Sequence, residues 1–497
     1  MDYGKTLHLP ATEFPMRGNL PKREPEILKF WEDNKIYEKR LEKRQGNKPF
    51  VLHDGPPYAN GKLHIGHALN KTLKDIIMKY KTMQGYYTPY IPGWDTHGLP
   101  IEHAVIKNTG LNRHEMSPLD LRAKCKEYAL QCVEEQKKDF IRFGVLGRWE
   151  DPYVTLRPAF EVKEIGIFGE MAKRGHIYKG LKTVYWCTHC ETALAEAEIE
   201  YKEKKSFSIY VKYAYLQEVK RTLPADVPTD KAYAVIWTTT PWTLPASQAI
   251  SVNPELTYSW VQVGDEYYLM ATDLVEAALK DCGVEEYKVL NTFSGEELEM
   301  ATFKHPFIER TVPVFLGDHV TLDAGTGCVH TAPAHGEEDF GVYMKYKNDG
   351  KVDFEIASFV GPTGEYVSAV DNDRYGDTEQ SLAGVEIHDA EVPILKIVAH
   401  NGALLHKGTL RHQYAHCWRC KNPVIYRATE QWFSSVDGYR QQALDVIDNQ
   451  VQWIPKWGHD RIYNMVADRG DWCISRQRAW GVPIPIFYCK ECGEYVC

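Results

Sequence analysis

The sequence predicts an α/β protein in which a parallel sheet is interrupted by a large β-rich insertion. Residues 50–91 read as strand, turn, helix and strand, which is one βαβ unit of a parallel sheet. Two Cys-x-x-Cys pairs, at residues 187–190 and 417–420, lie roughly 200 residues apart, which is ample for a separate domain. Between these pairs the pattern changes to short apolar strands separated by Gly, Pro and Asn.

The composition is that of an ordinary globular protein. Its 497 residues are too many for one core, so roughly two to four domains are expected. Hydrophobic residues make up 43% of the chain, yet no apolar run approaches the roughly 20 residues that span a bilayer. The N-terminus shows no secretory signal, so we expect a cytoplasmic protein with no membrane partner. A net charge of −9 argues against indiscriminate nucleic-acid binding and requires local basic patches for any contact with RNA.

The βαβ unit begins with the apolar strand Phe50–Leu52, which the Gly- and Pro-rich turn at 53–61 cannot continue. A helix is predicted to start near Gly66 and to stop at Gly85, and Tyr87–Ile91 is the second strand. The apolar face of the helix is expected to be buried and its lysines mostly to face out. The apolar set is Leu69, Leu73, Ile76, Ile77 and Tyr80, and the lysines are Lys71, Lys74, Lys79 and Lys81.

Two histidines, His64 and His67, stand where this helix begins. A helix N-terminus offers unpaired N–H groups and positive potential, so phosphates bind there. Imidazoles at the same end can donate hydrogen bonds to phosphate oxygens as charge builds during a displacement. Gly66 leaves room for a flat base to approach the backbone. Two ordinary surface histidines are the alternative, because such short patterns recur by chance, but the strand–turn–helix context favours nucleotide binding.

Asp95 follows Gly93-Trp94 at the C-terminal end of the second strand, where open α/β sheets bind their ligands. A carboxylate there can hold an ammonium group through charge-assisted hydrogen bonds. A helix cap or a turn residue would explain Asp95 equally well from the residues alone.

Three further helices are predicted as scaffold. The first lies in an N-terminal extension, residues 1–49, and starts at Pro25. The second is capped by Ser117 and runs to Arg142, and the third spans Phe160–Lys173.

Each Cys-x-x-Cys pair supplies half of a tetrahedral thiolate site, and a structural zinc ion holding both ends of the insertion would explain why two pairs flank it. Two unrelated thiol pairs or a redox pair are the alternatives, although cytosolic cysteines favour metal before disulfides. The four residues are Cys187, Cys190, Cys417 and Cys420. A third half-site is formed by Cys489 and Cys492, to which Cys497 could add a ligand.

The insertion is predicted to be β-barrel-like, with a few helices. Its predicted strands are Ser206–Tyr213, Ala232–Trp237, Leu256–Val263, Glu266–Met270 and Thr311–Val314. Two constellations inside it could carry chemistry. Thr238–Thr240 place hydroxyls at a strand end, where they can hold water or ribose. The glycines of Asp323–His330, which lead on to Asp339, would let the backbone approach a ligand closely. From the residues alone, ordinary β-rich structure without a chemical role explains both constellations.

Three stretches resemble the class I aminoacyl-tRNA synthetases in their isoleucine form, namely Asp54–His67, Pro92–Glu102 and Trp472–Pro485. The valine and leucine members lack the Asp-Gly-Pro-Pro-Tyr-Ala form of the first stretch. The resemblance covers essentially the whole chain. It implies a Rossmann-like catalytic domain whose first half is residues 50–190 and whose second half starts within residues 416–497. An editing domain at residues 191–415 would lie between them.

The same resemblance implies ATP- and Mg²⁺-dependent activation of L-isoleucine to isoleucyl-adenylate, then transfer to tRNA(Ile), by a monomer. It assigns Gly55, Pro56 and Asp95 to the amino-acid pocket. It assigns ATP binding to Pro57, Tyr58, His64, Gly66 and His67, with the two histidines catalytic. Arg476, Gln477 and Arg478 would face the phosphates or the acceptor end, or would be solvated charges.

The resemblance also implies hydrolytic editing of mischarged valyl-tRNA(Ile). Isoleucine exceeds valine by one methylene, worth only about 1–3 kcal/mol as known for enzymes of this kind, so a second pocket is needed. Asp339 would anchor the α-amino group and His330 would restrict the side-chain pocket. The hydroxyls of Thr238, Thr239 and Thr240 would position the ester and the attacking water. The sequence shows no Ser/His/Asp set, so water would attack without a covalent intermediate.

The Lys-Met-Ser-Lys-Ser loop and the helical anticodon-binding domain of this family are not in the sequence. We therefore expect a fragment that alone is nearly inactive in synthesis. Valyl-tRNA synthetase is the nearest rival, and a hydrolytic or RNA-binding fragment without synthetic activity is a second. A nucleotidylyltransferase that does not use tRNA is a third, which the threonine run and the stretch 325–339 disfavour.

Overall fold

A computed structural model of the chain describes residues 3–8, 18–110, 115–218, 220, 222–376 and 380–496. The chain divides into two compact units, of which the first is Met1–Glu170 with Arg478–Cys497 and the second is Met171–Gln477. The helices are α1 (Leu20–Asp33), α2 (Ile36–Arg44), α3 (Ile65–Met83), α4 (Leu99–Thr109), α5 (Pro118–Arg142), α6 (Pro158–Lys173), α7 (Val275–Asp281), α8 (Glu337–Asn348), α9 (Glu391–His400), α10 (Asp437–Asn449) and α11 (Gly458–Ala467). Within the described part of the chain, none of them combines the length and the apolar character needed to cross a membrane.

The strands follow in the same chain order. They are β1 (Gly93–Trp94), β2 (Tyr153–Val154), β3 (Ile177–Cys187), β4 (Thr192–Leu194), β5 (Ile199–Gln217), β6 (Ala232–Thr238), β7 (Ala249–Val252), β8 (Thr257–Val263), β9 (Glu266–Ala271), β10 (Lys288–Ser294), β11 (Thr302–Lys304), β12 (Thr311–Leu316), β13 (Val329–Thr331), β14 (Leu404–Cys417), β15 (Ile425–Ser434), β16 (Trp472–Cys473), β17 (Phe487–Tyr488) and β18 (Tyr495–Val496).

Parallel pairing in the first unit is short. β1 pairs in parallel with β2, and single parallel bridges join Pro49 to Tyr87 and Tyr58 to Asp95. The predicted strands at Phe50–Leu52 and Tyr87–Ile91 are therefore wrong as regular strands, because regular pairing falls later, at β1. Proline has no backbone N–H to give to a ladder, and prolines at 49, 89 and 92 interrupt these segments.

Helix α3 begins where the sequence predicts, but the prediction of its buried face is wrong. Lys71 and Met78 are buried, whereas 62% of Leu69 and 56% of Ile76 are exposed. The other predicted core residues of α3, namely Leu73, Ile77 and Tyr80, are exposed too. The buried lysine is tolerated because it contacts the carboxylate of Asp54, so it does not enter the interior as an unpaired charge.

The scaffold helices agree with the sequence except at the N-terminus. α5 and α6 span the predicted ranges, and the Ser117 hydroxyl accepts the N–H of Asp120 at 3.2 Å as an N-cap. α1 starts at Leu20, so Pro25 lies inside it, contrary to the prediction. Pro21 occupies the first turn instead, which is the position where a missing N–H is harmless.

The second unit is built on a ten-stranded mixed sheet in the order β10-β8-β9-β6-β5-β11-β12-β7-β13, with β14 beside β5. All five strands predicted for the insertion are confirmed, as parts of β5, β6, β8, β9 and β12. The core contains the fully buried rings of Tyr213, Trp260 and Phe303. A smaller sheet has the order β16-β15-β3-β4. The runs at Pro423–Arg427 and Gln431–Phe433 predict two strands, but β15 is one continuous strand. The domain boundaries predicted at residues 190 and 416 stay predictions.

Candidate functional site

The two histidines form a reciprocal cap at the start of α3. The His64 Nδ1 accepts the Gly66 N–H at 3.1 Å, and the His67 Nδ1 accepts the His64 N–H at 3.2 Å. Their ring centroids lie 3.9 Å apart. An Nδ1 that accepts a backbone N–H carries no proton, so each neutral ring keeps its proton on Nε2. His64 is exposed and His67 half-buried, so the pair presents N–H donors at the helix N-terminus.

The predicted amino-acid and ATP residues lie along one connected piece of backbone. The Asp95 N–H donates to the Pro57 carbonyl at 2.9 Å, and the Ala59 N–H donates to the Asp95 carbonyl at 2.8 Å. Gly55 and Pro56 precede this bridge, and Gly61 follows it with a left-handed φ of 69°. The turn that the sequence predicts is therefore docked onto the strand end that carries Asp95.

Asp95 is a half-buried carboxylate with little to neutralise it. Burial raises its pKa above the usual value, and a 3.3 Å hydrogen bond from the His97 N–H offsets only part of that effect. No lysine or arginine forms an ion pair with Asp95 among the described residues. A carboxylate in this state gains most from an incoming ammonium group.

Two buried polar residues that the sequence does not single out hold this region together. Gln136 of α5 donates to the carbonyls of Tyr58 and Gly61, at 3.2 and 2.9 Å, and accepts the Trp94 indole N–H at 3.0 Å. Glu102 accepts the N–H groups of Ala479 and Trp480, each at 3.1 Å. A glutamine inside a charged helix gives no sequence signal, since only the fold shows that it is fully buried.

The three polar residues Arg476, Gln477 and Arg478 of the third signature stretch have partners within the protein. Arg478 is buried and donates to Glu102 at 3.0 Å. Arg476 donates to Glu198 at 2.9 Å, and the Gln477 amide donates to the Gln431 side chain at 2.9 Å. Hydrogen bonds within the protein therefore hold all three side chains, and their predicted contact with the phosphates or the acceptor end stays a prediction.

The threonines of the second unit are linked to His330 through a residue that the sequence analysis missed. The Thr238 and Thr240 hydroxyls lie 3.2 Å apart at the end of β6. Thr243 donates to the Thr240 carbonyl at 2.8 Å, and its hydroxyl lies 3.2 Å from the His330 Nε2. Thr239, between the two linked threonines, is half-buried. The signal for Thr243 was its place in the same Thr-Pro-Trp-Thr run.

His330 is a neutral imidazole with one unused nitrogen. Burial lowers its pKa to about 4. Its Nδ1 is buried and finds no hydrogen-bond partner among the described residues. Because an unpaired buried polar atom costs free energy, this atom marks a place where a ligand atom would be stabilised.

Asp339 lies in the first turn of α8, beside the end of β13. Its Oδ2 accepts the Ala332 N–H at 2.8 Å. Burial raises its pKa to about 7, and the nearby Glu338 adds to that rise while the Ala332 hydrogen bond opposes it. The predicted editing residues are thus positioned by β6, β13 and α8 of one unit.

The glycines before His330 allow close packing within the protein, and their predicted approach to a ligand stays a prediction. Gly325 and Gly327 have left-handed φ values of 80° and 71°. A Cβ on Gly325 would lie 2.9 Å from the ring of Trp237, and one on Gly327 would lie 2.4 Å from the Ala271 Cβ. Gly325 therefore lets the loop pack on Trp237, which precedes the threonines, and Gly327 lets it pack on Ala271 at the end of β9.

The two Cys-x-x-Cys pairs at the ends of the insertion meet in space. The sulfur atoms of Cys187, Cys190, Cys417 and Cys420 all lie within 4.8 Å of one another. Three of these residues are buried, and the Cys187 and Cys420 sulfurs are 3.5 Å apart. A tetrahedral ion with Zn–S bonds of about 2.3 Å needs sulfurs roughly 3.8 Å apart, so the donor set and spacing fit zinc.

The third half-site is different. Cys489 and Cys492 are exposed in the β17–β18 hairpin, where the Cys489 N–H donates to the Glu494 carbonyl at 2.7 Å. The metal-ligand group found among the described residues does not include them. The suggested extra ligand, Cys497, lies outside the described residues.

Comparison with known proteins places the chain in a family. The family described as "tRNA synthetases class I (I, L, M and V)" matches residues 26–497, and the chain belongs to it. The chain is 56% identical to an isoleucine--tRNA ligase of Caldicellulosiruptor saccharolyticus over 495 residues, or 99% of this chain and 52% of the relative. It is also 56% identical to one from Moorella thermoacetica, over 100% of this chain and 51% of the relative. The chain thus spans about half the length of these curated relatives.

A solved structure of an Agrobacterium radiobacter LeuRS–tRNA–LeuAMS complex matches 97% of this chain and 52% of its own chain. The sequence identity is 17% and the TM-score is 0.37.

Proposed function

We propose that the full-length protein activates isoleucine with ATP, transfers it to tRNA(Ile), and hydrolyses mischarged valyl-tRNA(Ile). The observation that carries the first reaction is the pair of adjacent imidazoles, His64 and His67, with Nε2 donors at a helix N-terminus. The relatives named isoleucine--tRNA ligases, at 56% identity, support isoleucine over valine as the substrate.

In the activation step the isoleucine carboxylate oxygen attacks the α-phosphorus of ATP, and the bond from that phosphorus to pyrophosphate breaks. Phosphate oxygens gain charge in the transition state, and the Nε2–H groups of His64 and His67 stabilise them there. The Mg²⁺ that accompanies ATP would screen the remaining phosphate charge. Pro57, Tyr58 and Gly66 would border the nucleotide.

The amino acid would lie beside the docked turn. Asp95 would hold its α-ammonium group, since none of the described residues supplies a cation that neutralises its half-buried carboxylate. Gly55 and Pro56 would line the pocket on the neighbouring backbone. The positive end of α3 and the negative charge of Asp95 would then orient a zwitterionic substrate between them.

The hydrolytic site would be separate and would lie in the second unit. Asp339 would bind the α-ammonium of a misattached valine, and the unused Nδ1 of His330 would face the substrate. The linked hydroxyls of Thr238 and Thr240, with Thr239 between them, would hold the ester and a water. Water adds to the ester carbonyl, the bond to the tRNA oxygen breaks, and free valine leaves with the added oxygen.

We further propose that Cys187, Cys190, Cys417 and Cys420 bind a structural zinc ion. The gathering of four thiols at both ends of the insertion supports this. Bound zinc would fix the ends of β3 and β14 against each other. It would have no part in either reaction.

The function is tested by amino-acid-dependent ATP–pyrophosphate exchange in the full-length protein. We expect exchange with isoleucine and weaker exchange with valine, together with hydrolysis of valyl-tRNA(Ile) but not of isoleucyl-tRNA(Ile). Exchange that prefers valine would identify a valine enzyme instead. Absence of exchange with either amino acid would leave only the hydrolytic alternative.

A further inference from the structure

A buried cluster of polar side chains lies directly under the start of α3. This Asp54 cluster consists of Asp54, Lys71, Lys74 and Tyr90. Lys71 and Lys74 each donate from Nζ to one Asp54 carboxylate oxygen. The Tyr90 hydroxyl donates to the same carboxylate at 2.6 Å and accepts from the Lys71 Nζ at 3.0 Å. Only 4% of Asp54 and 3% of Lys71 are exposed, so the cluster is an interior feature.

The Asp54 cluster joins every segment of the candidate synthetic site. Asp54 immediately precedes Gly55 in the docked turn, and Lys71 lies one helical turn beyond His67 on α3. The Asp54 carbonyl accepts the Tyr153 hydroxyl at 3.2 Å. The Tyr153 ring lies against Gly93 of β1, where a Cβ would come within 2.0 Å of it. Asp54 therefore connects the turn to α3 directly and, through Tyr153, to β1, the strand that precedes Asp95.

The charges in the cluster favour a role in alignment over a role in stability. Burial alone would raise the pKa of Asp54, but hydrogen bonds from Lys71, Lys74 and Tyr90 outweigh it and hold the pKa below its usual value. The carboxylate is therefore ionised at neutral pH. Buried ion pairs add little net stability compared with apolar side chains of similar size, because both charges must lose their water. The geometry of a buried ion pair is strict, however, and this suits a residue that fixes the distance between two segments of the site.

We propose that Asp54 is a positioning residue for adenylate formation, fixing the Gly55–Pro56 turn on α3 so that bound isoleucine is aligned with His64 and His67. This inference rests on the proposed function. Asp54 itself is covered by its partners and does not touch the substrate. Its effect is transmitted through the turn and through the first two helical turns of α3.

The test is Asp54→Asn in the full-length protein, a change that keeps the shape and removes the charge. We expect isoleucine-dependent exchange to fall about 100-fold, as a displacement near 1 Å can cause. We expect kcat to fall and KM for isoleucine to rise, while active-site titration still finds the wild-type number of folded sites. Valyl-tRNA hydrolysis should remain at the wild-type rate, because it belongs to the other unit.

A matched control is Asp33→Asn, which makes the same change in the exposed Lys29–Asp33 ion pair of the same unit. It should leave exchange unchanged. If Asp54→Asn fails to fold, the double variant Asp54→Asn with Lys71→Met removes both buried charges. The double variant should fold and should still exchange slowly.

Wild-type exchange in the folded single or double variant would overturn the assignment of Asp54. A parallel loss of exchange and hydrolysis, with fewer titratable sites, would also overturn it, because that pattern indicates a purely structural role. If the wild-type protein shows no isoleucine-dependent exchange, the proposed function fails, and the positioning role fails with it.

Discussion

At the residue scale, polar groups that are buried or half-buried and have few partners mark the proposed hydrolytic site more sharply than any motif. Asp339 has a single backbone donor at 2.8 Å and a pKa raised to about 7. His330 has a pKa lowered to about 4 and an Nδ1 without a partner among the described residues. Burial makes the Asp339 carboxyl harder to ionise, so a neighbouring ammonium group would stabilise its charged form. A neutral imidazole suits an uncharged ester beside that ammonium group.

The raised pKa of Asp339 predicts a pH dependence. An acid whose pKa is about 7 is neutral below that pH and charged above it, and only the charged form attracts the α-ammonium of valine. We expect kcat/KM for valyl-tRNA hydrolysis to fall about tenfold per pH unit below pH 7 and to level off above it. Asp339→Asn should lower hydrolysis by roughly 100-fold or more. The exposed neighbour Glu338→Gln should keep the profile and move it slightly to lower pH, whereas a flat wild-type profile would contradict the role.

Thr243 provides a second prediction at this scale. It joins the Thr240 carbonyl to the His330 Nε2, so its removal should let both partners shift. Thr243→Val should slow valyl-tRNA hydrolysis about tenfold, as expected for the loss of a buried hydrogen bond. Thr243→Ser keeps the hydroxyl and should restore most of the rate. A serine variant that is slower than the valine variant would show that the methyl packing, and not the hydroxyl, is what matters.

At the scale of elements, the sequence predicts best where an element depends only on residues that are close to it in the chain. The insertion strands follow from short apolar runs between turn residues, and all five are found. The histidine pair follows from its place before an amphipathic helix, although the reciprocal cap needs coordinates. The site contacts of Gln136, Glu102 and Arg478 could not be predicted, because each partner is distant in the chain and neither residue type nor spacing reveals it.

The thiol cluster gives a prediction for two elements, β3 and β14. The full-length protein should contain zinc bound by the group of four cysteines, Cys187, Cys190, Cys417 and Cys420. A strong chelator should lower its thermal unfolding temperature, since metal binding adds to the free energy of folding. Cys417→Ser should abolish that zinc and should mimic the chelator. Cys282→Ser, outside the group, should do neither. Metal analysis that finds the same zinc content in the Cys417 and Cys282 variants would exclude this site.

At the scale of the whole molecule, the chain comprises two compact units and spans about half the length of its curated relatives. The wrong prediction of the buried face of α3 is best understood at this scale. Its apolar stripe is exposed along the helix, with Leu69, Leu73 and Ile76 more than half exposed. Contiguous apolar surfaces of this kind usually mark interfaces. The apolar pattern predicted a core face, which is wrong for the described residues, because none of them covers it.

The exposed stripe predicts different responses in chains of different length. Leu73→Glu should barely change the stability of the 497-residue chain, because the side chain is already in solvent. In the full-length protein we expect the same variant to destabilise by about 2–4 kcal/mol, if the additional residues bury the stripe. Met78→Glu, at a buried position of the same helix, should destabilise both proteins. Chemical denaturation measures the loss of stability for both variants in both chains. An equal loss for Leu73→Glu in the two chains would show that the stripe stays exposed.

The most direct test of the two-site account measures isoleucine-dependent ATP–pyrophosphate exchange and valyl-tRNA hydrolysis side by side in two full-length variants. We expect His67→Ala to lower exchange about 100-fold, as removal of one charge-stabilising donor does, and to leave hydrolysis intact. Asp339→Ala should abolish hydrolysis and leave exchange intact. Normal exchange by His67→Ala, or loss of both reactions in either folded variant, would contradict the account.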